Sequence, residues 1–214
     1  IGSYSFSYCN SLRKVNLSNS ITSIGSNAFE CCTSLTSLNI PVSVTNISEY
    51  AFYYCSSIKD FTIPNSVEDI GDLAFWHCNE LTGIIIPDSV ISIGRSAFSG
   101  CVSLTSIEVS QKNTVYDSRN NCNAIISTSS NTLLFGCCNT VIPNTVTTIG
   151  DNAFFSCSAL TNILLPNSIT SIGEHAFNGC IALNTIIIPN SVTSIGKNSF
   201  AGCYSLKSVT ISTS

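Results

Sequence analysis

Residues 188–206 read IPNSVTSIGKNSFAGCYSL, and most of the remaining chain consists of variants of this stretch. The copies share the pattern I-P-N-S-V-T-S-I-G-x-x-A-F-x-x-C-x-x-L. An internal repeat takes precedence over any local motif, because it determines the architecture of the whole chain. The fold therefore follows from the structure of one copy and from the way in which copies stack.

Three columns of residues recur with a period of 23 residues and in a single register. One column is cysteine, and its members, which form the Cys column below, are Cys9, Cys32, Cys55, Cys78, Cys101, Cys157, Cys180 and Cys203. A phenylalanine column begins at Phe6 and an isoleucine column at Ile24. One copy cannot bury its own apolar face, whereas stacked copies bury a continuous core. The sequence therefore predicts a solenoid of about nine layers spaced at about 4.8 Å.

Each copy begins with two short extended pieces separated by a turn. The segment Leu35–Ile40 alternates apolar and polar residues, which is typical of a strand with one buried face. A proline then ends the strand, and in several copies Asn or Asp follows it, as in Pro64-Asn65. Proline fixes φ, and Asn tolerates a left-handed conformation, so we expect a turn with Asn in that conformation. Val44 and Ile47 form the second extended piece.

The last part of each copy, x-x-Ala-Phe-x-x-Cys, is expected to form a single helical turn. The position two residues after the conserved isoleucine is often acidic, as at Glu49, Asp72, Asp151 and Glu174. Acidic side chains suit a helix N-terminus, because they accept hydrogen bonds from free N–H groups and interact favourably with the helix dipole.

Composition restricts the class of protein. Charged residues make up only 9% of the 214 residues, and the net charge is −4. Nucleic-acid binding requires a basic patch, so we expect no nucleic-acid partner. No apolar run approaches the roughly 18 residues of a membrane span. A surface made mainly of Ser, Thr and Asn is more usual for extracellular β-rich proteins, so we expect an extracellular or cell-surface location.

The pattern L-x-x-I-x-I-P-x-S-V-x-x-I-G-x-x-A-F-x-x-C closely resembles the BspA-like leucine-rich repeats, and the resemblance covers the whole chain. It implies a leucine-rich-repeat solenoid with short parallel strands on one face and turns with single helical turns on the other. It also implies cell-surface proteins that bind other molecules, and it supplies no catalytic residues. We expect residues 1–214 to form one such solenoid.

The repeat is interrupted once, over approximately residues 110–140. Cys101 and Cys157 are 56 residues apart, and the two apolar segments 123–127 and 132–135 flank the polar residues 128–131. This pattern predicts a β-hairpin-like island that stays within the stack, as in BspA-like arrays. A flexible linker between two domains is the alternative. The apolar residues of both segments require burial, which favours the island.

The cysteines suggest structural roles. Side chains of the Cys column should point inward in parallel, too far apart at Cβ for disulfides, so we interpret them as small buried hydrophobic residues. If Ser127 faces Thr132 in the hairpin, Cys122 lies opposite Cys137, and a disulfide between them is a candidate; two reduced thiols are the alternative. Paired C-x-x-C ligands are absent from the sequence, so we expect no metal site.

Catalytic patterns are also missing from the sequence. No serine lies in a G-x-S-x-G elbow, and His77 and His175 occupy different repeat positions with no recurring partner. We therefore expect no enzymatic activity and no cofactor.

Two surfaces are candidates for binding. The two positions before the Cys column are aromatic in neighbouring layers, Tyr53-Tyr54 and Trp76-His77, and large apolar groups at a surface often mark a contact site. The alternative is that these rings only shield the turn beneath them. The second candidate is the strand face, with contacts expected at Thr36, Lys59, Thr82, Thr105 and Lys207.

Two functions remain open at this point. The first is a non-enzymatic adhesion or recognition array for a protein or glycan. The second is a structural subunit that self-associates end to end into filaments, since the phase of Ile1-Gly2 nearly continues that of Ser212-Thr213-Ser214. Such a head-to-tail contact does not close on itself. Truncation of a longer chain is the competing explanation for these ends.

Overall fold

The computed structural model describes residues 1–211, and every structural statement below concerns those residues. They contain short strands joined by turns, with one 3-10 turn and hardly any other helix. The elements are β1 (Lys14–Asn16), β2 (Ser23–Ile24), β3 (Ser37–Asn39), β4 (Asn46–Ile47), β5 (Asp69–Ile70), β6 (Gly83–Ile86), β7 (Ser92–Ile93), β8 (Ser106–Val109), β9 (Tyr116–Asp117), the 3-10 turn Arg119–Asn121, β10 (Ala124–Ser127), β11 (Thr132–Gly136), β12 (Thr148–Ile149), β13 (Ser171–Ile172), β14 (Thr185–Ile188), β15 (Ser194–Ile195) and β16 (Ser208–Ile211). Within this described part, no helix is long and apolar enough to cross a membrane.

The chain forms two compact units, each a stack of repeats. The first unit comprises Ile1–Leu104 with Val109–Thr114, and the second comprises Thr105–Glu108 with the chain from Val115 onward. The one-domain organisation expected from the sequence stays a prediction. The end-to-end association also stays a prediction, because residues 212–214, on which it depends, lie outside the described residues.

The first unit stacks its repeats as parallel strands in the register that the 23-residue period requires. β2, β4, β5 and β7 form one sheet, in which Ile24 pairs with Ile47 and Ile70 with Ile93. β1 and β3 form a second parallel pair. Each exposed strand residue therefore lies directly above its counterpart in the previous copy. The leucine-rich-repeat solenoid predicted from the sequence is confirmed.

A ladder of phenylalanine rings fills the core of each unit. In the first unit the rings of Phe6, Phe29, Phe52, Phe75 and Phe98 stack with centroids 5.2–5.4 Å apart and interplanar angles of at most 14°. In the second unit Phe154, Phe177 and Phe200 do the same at 5.0 and 5.2 Å. Each buried ring adds a large apolar contribution to the stability of its layer.

The helical turn expected at Ala-Phe-x-x-Cys is wrong. Three overlapping β-turns take its place, as shown by the bonds from Ala28 N to Gly25 O (3.2 Å), from Glu30 N to Asn27 O (3.2 Å) and from Cys32 N to Phe29 O (3.1 Å). Two residues per copy, such as Asn27 and Cys31, have φ near +56°. A left-handed residue reverses the chain direction, so its N–H points to the next layer and pairs there instead of continuing a helix; Cys31 N donates to Tyr53 O at 2.7 Å.

The acidic column consequently has a different role from the helix capping that the sequence suggested. The Asp72 carboxylate accepts a hydrogen bond from Arg95 N at 2.7 Å, and Asp151 accepts one from Glu174 N at the same distance. In both cases the donor lies one copy further along the chain. The carboxylates of Asp72 and Asp151 therefore join neighbouring layers rather than cap a helix.

The turn at the prolines also differs from the expectation. Each proline is the first residue of its turn and accepts through its carbonyl, for example from Val67 N to Pro64 O at 3.0 Å. Asn65 is not left-handed. The serine that follows in this turn contributes instead, because Ser66 Oγ donates to Val44 O of the previous layer at 2.6 Å. A side-chain hydrogen bond between copies thus stabilises the turn.

The island is folded, and from Val115 onward it belongs to the second unit. β10 and β11 form the predicted antiparallel hairpin, β9 pairs with β10, and β11 continues into the parallel strands β12, β13 and β15. Ile125, Ile126 and Leu133 are fully buried. The predicted register holds at Ile126 and Leu133 but shifts at a bulge before Ile126, so Ala124 pairs with Gly136.

The Arg119 side chain forms hydrogen bonds that hold the start of the island in place. Its Nε and Nη2 donate to the two carboxylate oxygens of Asp117 at 2.8 and 2.6 Å, and its Nη1 donates to Asn131 Oδ1 at 2.9 Å. Nη1 also donates to Thr145 Oγ1 at 3.2 Å. A bidentate guanidinium fixes orientation as well as distance. The hairpin is therefore tied to the turn at which the regular repeat resumes.

Candidate recognition surface

The four predicted aromatic residues Tyr53, Tyr54, Trp76 and His77, called the aromatic patch below, are brought together in the first unit. The ring of Tyr54 stacks on that of His77 with centroids 4.8 Å apart and an angle of 23°. Tyr53 meets Tyr54 edge-on at 4.9 Å, and Trp76 meets His77 edge-on at 5.1 Å. Stacking of successive copies therefore turns two sequence pairs into one cluster of rings.

The backbone at the patch is left-handed. Tyr54 and His77 both have φ of 56°, in the position immediately before the Cys column. Bulky side chains rarely adopt this conformation, and one such residue costs on the order of 1–3 kcal/mol. The same position is left-handed in each of the other copies, where it is glycine in three (Gly100, Gly179 and Gly202) and Tyr8, Cys31 or Ser156 in the others. The patch thus places rings where the fold is most easily built with glycine.

A glycine of the next copy leaves room for the histidine ring. A Cβ atom added to Gly100 would lie only 2.8 Å from His77 Nδ1 and 2.9 Å from Cε1. The imidazole is therefore held between the Tyr54 ring on one side and the Gly100 backbone on the other. This burial lowers the pKa of His77, because the charged form loses solvation. The ring is consequently neutral near pH 7.

The patch is partly accessible, which is what a contact surface requires. Tyr54 is 38% exposed, and Tyr53, Trp76 and His77 are half-buried. Tyr50 extends the cluster, since its ring lies 5.4 Å from that of Tyr53. The sequence analysis missed Tyr50. It lies in the other left-handed column, where Asn27 and Leu73 are the residues of the neighbouring copies, so no recurrence of aromatic residues marks it in the sequence.

A carboxylate that was not predicted lies one layer before the patch. Glu30 occupies the same repeat position as Tyr53 and accepts hydrogen bonds from Ser7 Oγ (3.0 Å), Asn27 Nδ2 (3.1 Å) and Tyr8 Oη (3.3 Å). Its negative charge is the largest cause of the raised pKa of Tyr8. Three neutral donors hold the carboxylate in place, so it is a preorganised hydrogen-bond acceptor beside the rings.

All five predicted strand-face residues are exposed: Thr36, Lys59, Thr82, Thr105 and Lys207. The side chains of Lys59 and Thr36 contact neighbouring residues. Lys59 Nζ lies 3.3 Å from a Glu80 carboxylate oxygen, with the two side chains 65% and 48% exposed, and Thr36 Oγ1 donates to Arg13 O at 3.4 Å. An exposed ion pair contributes little to stability. Their role in binding stays a prediction.

The Cys column has a second function that the sequence analysis missed. Cys32, Cys55, Cys78, Cys101 and Cys180 are buried, Cys157 and Cys203 are half-buried, and Cys9 is exposed. The thiols also donate hydrogen bonds: Cys55 Sγ bonds Phe29 O of the previous copy at 3.0 Å, and Cys78 Sγ bonds Phe52 O at 3.3 Å. Four further thiols of the column, Cys32, Cys101, Cys180 and Cys203, make the equivalent bond at 3.1–3.2 Å. The column therefore joins layers as well as filling space.

These thiols are poor nucleophiles. Burial raises the pKa of Cys78 well above the ordinary value of a thiol, and the pKa of Cys101 rises to about 12 for the same reason. The thiolate is the reactive form, so a thiol that stays protonated is inert.

The Cys122–Cys137 disulfide stays a prediction. Both residues are buried as free thiols, with Cys137 Sγ donating to Asn123 O at 3.6 Å. The bulge before Ile126 shifts the register from which their pairing was predicted. Within residues 1–211, no group of three or more His, Cys, Asp or Glu side chains is arranged to hold a metal ion.

The stacked parallel strands, the 23-residue period and the inward leucine and isoleucine columns define a leucine-rich repeat protein. The sequence profile of the BspA type leucine rich repeat region matches residues 1–126 and 129–214 in six copies. The chain belongs to this family. The family resemblance stated from the sequence is thus confirmed, and the family is one of repeat scaffolds.

Solved structures of bacterial proteins have the same fold. A leucine-rich repeat protein from Eubacterium ventriosum is 30% identical with a TM-score of 0.86, and the alignment covers 99% of this chain and 57% of that one. One from Bacteroides ovatus is 32% identical with a TM-score of 0.71, covering 98% and 51%. A leucine rich cell surface protein from Faecalibacterium prausnitzii is 28% identical with a TM-score of 0.60, covering 100% and 76%.

The chain spans about half the length of the first two of these proteins. No match is found among proteins with curated functions.

Proposed function

We propose that this chain is a non-enzymatic recognition module of a cell-surface protein, and that its aromatic patch contacts a glycan. The observation that carries the proposal is the cluster of four partly exposed rings in two neighbouring copies, in which Tyr54 stacks on His77 at 4.8 Å and Tyr53 and Trp76 meet them edge-on. Large, partly exposed aromatic groups of this kind often mark a contact site.

The chemistry of the patch supports a glycan as the ligand. Tyrosine, tryptophan and histidine combine an apolar ring, which can contact the C–H face of a sugar, with a polar edge that exchanges hydrogen bonds with hydroxyl groups. Glu30 adds an oriented acceptor one layer away. The similarity to a leucine rich cell surface protein of Faecalibacterium prausnitzii supports the surface location. Adhesion to a protein through the exposed strand face is the alternative within the same class of function.

The test compares binding of the protein and of glycine variants to an array of defined oligosaccharides. Tyr54→Gly and His77→Gly each delete one ring while installing the residue that the column uses at Gly100. Ser156→Gly is the matched control, because Ser156 is also left-handed at this position but belongs to the second unit. We expect each patch variant to weaken oligosaccharide binding about tenfold, which corresponds to about 1.4 kcal/mol, and the control to bind like the parent protein.

Two outcomes count against the proposal. Equal binding by the parent and both patch variants would show that the two rings do not contact the oligosaccharide. Binding to immobilised proteins but to no oligosaccharide, with the same dependence on Tyr54 and His77, retains recognition and rejects the glycan.

A further inference from the structure

Glu30 carries a negative charge that no cation in the described part of the chain neutralises. Its side chain is half-buried, and its three hydrogen-bond donors, from Ser7, Asn27 and Tyr8, are all neutral. None of the ion pairs within residues 1–211 includes Glu30. These pairs are Lys59–Glu80, Arg95–Asp72 and Arg119–Asp117. A charge that is partly removed from water ordinarily has a partner of opposite sign.

One oxygen of this carboxylate keeps room for a further hydrogen bond. Oε2 accepts from Ser7 Oγ at 3.0 Å and from Asn27 Nδ2 at 3.1 Å, whereas Oε1 accepts from Tyr8 Oη at 3.3 Å and from no second donor among residues 1–211. An ionised carboxylate has about four lone-pair directions, shared between its two oxygens. Oε1 can therefore accept from a ligand, and a positively charged donor forms a stronger hydrogen bond than a neutral one.

Tyrosine rings belong to the copies on both sides of Glu30. Tyr8 lies in the preceding copy and is 64% exposed, and Tyr53 occupies the position of Glu30 in the following copy and is half-buried. Successive copies are about 4.8 Å apart. The face of an aromatic ring attracts a cation that lies within about 6 Å of the ring centroid. A carboxylate between two such rings is suited to an organic cation.

The other titratable groups at this place add no negative charge. The Glu30 carboxylate is the largest cause of the raised pKa of Tyr8. Burial raises the pKa of Tyr53 and also that of Cys31, the residue next to Glu30. Both hydroxyl groups and the thiol therefore stay protonated near pH 7. The Glu30 carboxylate is the single negative charge among these four side chains, which matches one ammonium group.

We propose that Glu30, with Tyr8 and Tyr53, binds the protonated amino group of an amino sugar. This inference rests on the glycan recognition proposed above for the aromatic patch, and it adds the class of sugar. A sugar that contacts Tyr53 and Tyr54 lies one copy from Glu30, so an amine on that sugar or on its neighbour can reach Oε1. A sugar hydroxyl can also donate to Oε1, but it leaves the charge unpaired. N-acetylation removes the charge of the amine and with it the preferred partner.

The test measures binding of the whole chain to two oligosaccharides of equal length, an oligomer of glucosamine and its fully N-acetylated counterpart. The pH is mildly acidic, so that the amines are protonated. We expect the glucosamine oligomer to bind about tenfold more tightly at low salt. This preference should shrink as the salt concentration rises, because salt screens the attraction between exposed charges.

Glu30→Gln locates the preference at this carboxylate. The variant keeps the size of the side chain and removes its charge, so it should weaken binding of the glucosamine oligomer about tenfold. Binding of the N-acetylated oligomer should stay unchanged, which also shows that the fold and the rings are intact. The matched control is Glu68→Gln, which removes the same charge from an exposed residue of the same unit, immediately before β5. We expect the control to bind both oligomers like the parent protein.

Four results overturn the proposal. Equal binding of the two oligomers, or tighter binding of the N-acetylated one, rejects the amino sugar and leaves glycan recognition in place. Equal weakening by Glu30→Gln and Glu68→Gln assigns the preference to the net charge of the protein. Binding of a lysine-containing peptide that depends on Glu30, without binding of the glucosamine oligomer, makes a protein the source of the amine. Failure to bind any oligosaccharide of the array rejects the proposed function itself.

Discussion

Replacement of Phe75 by alanine tests how strongly each layer depends on its neighbours. Phe75 is fully buried, stacks on Phe52 and Phe98 at 5.2 and 5.3 Å, and meets Phe61 edge-on at 4.7 Å. Removing the ring leaves a cavity of about 100 Å³, and at about 24 cal/mol per Å³ this costs about 2.4 kcal/mol. Loss of the transfer free energy adds about 2 kcal/mol. We expect a total loss of about 4–5 kcal/mol.

The assay is urea denaturation followed by the fluorescence of Trp76, the single tryptophan, which belongs to the same unit. Phe6→Ala is the matched control, because Phe6 is 36% exposed and stacks on one ring, that of Phe29, at 5.3 Å. Its expected loss is about 1–2 kcal/mol. Equal losses at the two positions would contradict the expected difference, because they would mean that a ring between two layers is no better packed than a ring with one neighbour.

Three further predictions concern the turn side of the repeat. Cys78→Ala should cost about 1–2 kcal/mol in urea denaturation, which is less than the loss of a large buried side chain costs, because the Phe52 carbonyl keeps its hydrogen bond within its own turn. A loss above about 4 kcal/mol would contradict this. Gly100→Ala should destabilise the protein more than Gly179→Ala. Both glycines have φ near +75°, but only at Gly100 would the added Cβ contact the His77 ring, and equal losses would show that the ring moves aside without cost. Between about pH 7 and pH 5, the free energy of unfolding should fall more steeply in the parent protein than in His77→Gln. The pKa of His77 is lowered in the folded protein, so below about pH 6.5 the unfolded chain binds more protons than the folded one. Parallel curves of melting temperature against pH for the two proteins would exclude this contribution.

The sequence was sufficient for the architecture because the repeat itself encodes it. A period shared by Phe29, Cys32 and Ile47 with their counterparts requires stacking in register, and alternation in Leu35–Ile40 specifies the buried face. The local conformation of the turns could not be derived in this way. A short segment such as residues 26–32 gains its hydrogen bonds from the next copy, and a partner one layer away is invisible to local propensity.

The candidate surface was predictable to a similar extent. The period alone places Tyr54 next to His77, since identical repeat positions in successive copies must be neighbours. The left-handed backbone of both residues was not predictable, although Gly179 and Gly202 at that position were a signal for it. Glu30 was missed because a lone acidic residue on a turn is ordinarily explained by solvation. The bulge at Ile126 has no local sequence signal that we recognise.

If the rings of the patch serve recognition and do not stabilise the turn, removing one should weaken binding without a large loss of stability. The most direct measurement is the free energy of unfolding of His77→Gly. Relief of the left-handed strain is worth about 1–2 kcal/mol, and loss of the ring contacts and of the rigidity of a non-glycine residue costs a similar amount. We therefore expect a free energy of unfolding within about 1 kcal/mol of that of the parent protein, accompanied by weaker oligosaccharide binding. A loss of about 3 kcal/mol or more, with binding unchanged, would contradict it and would show that the ring shields the core.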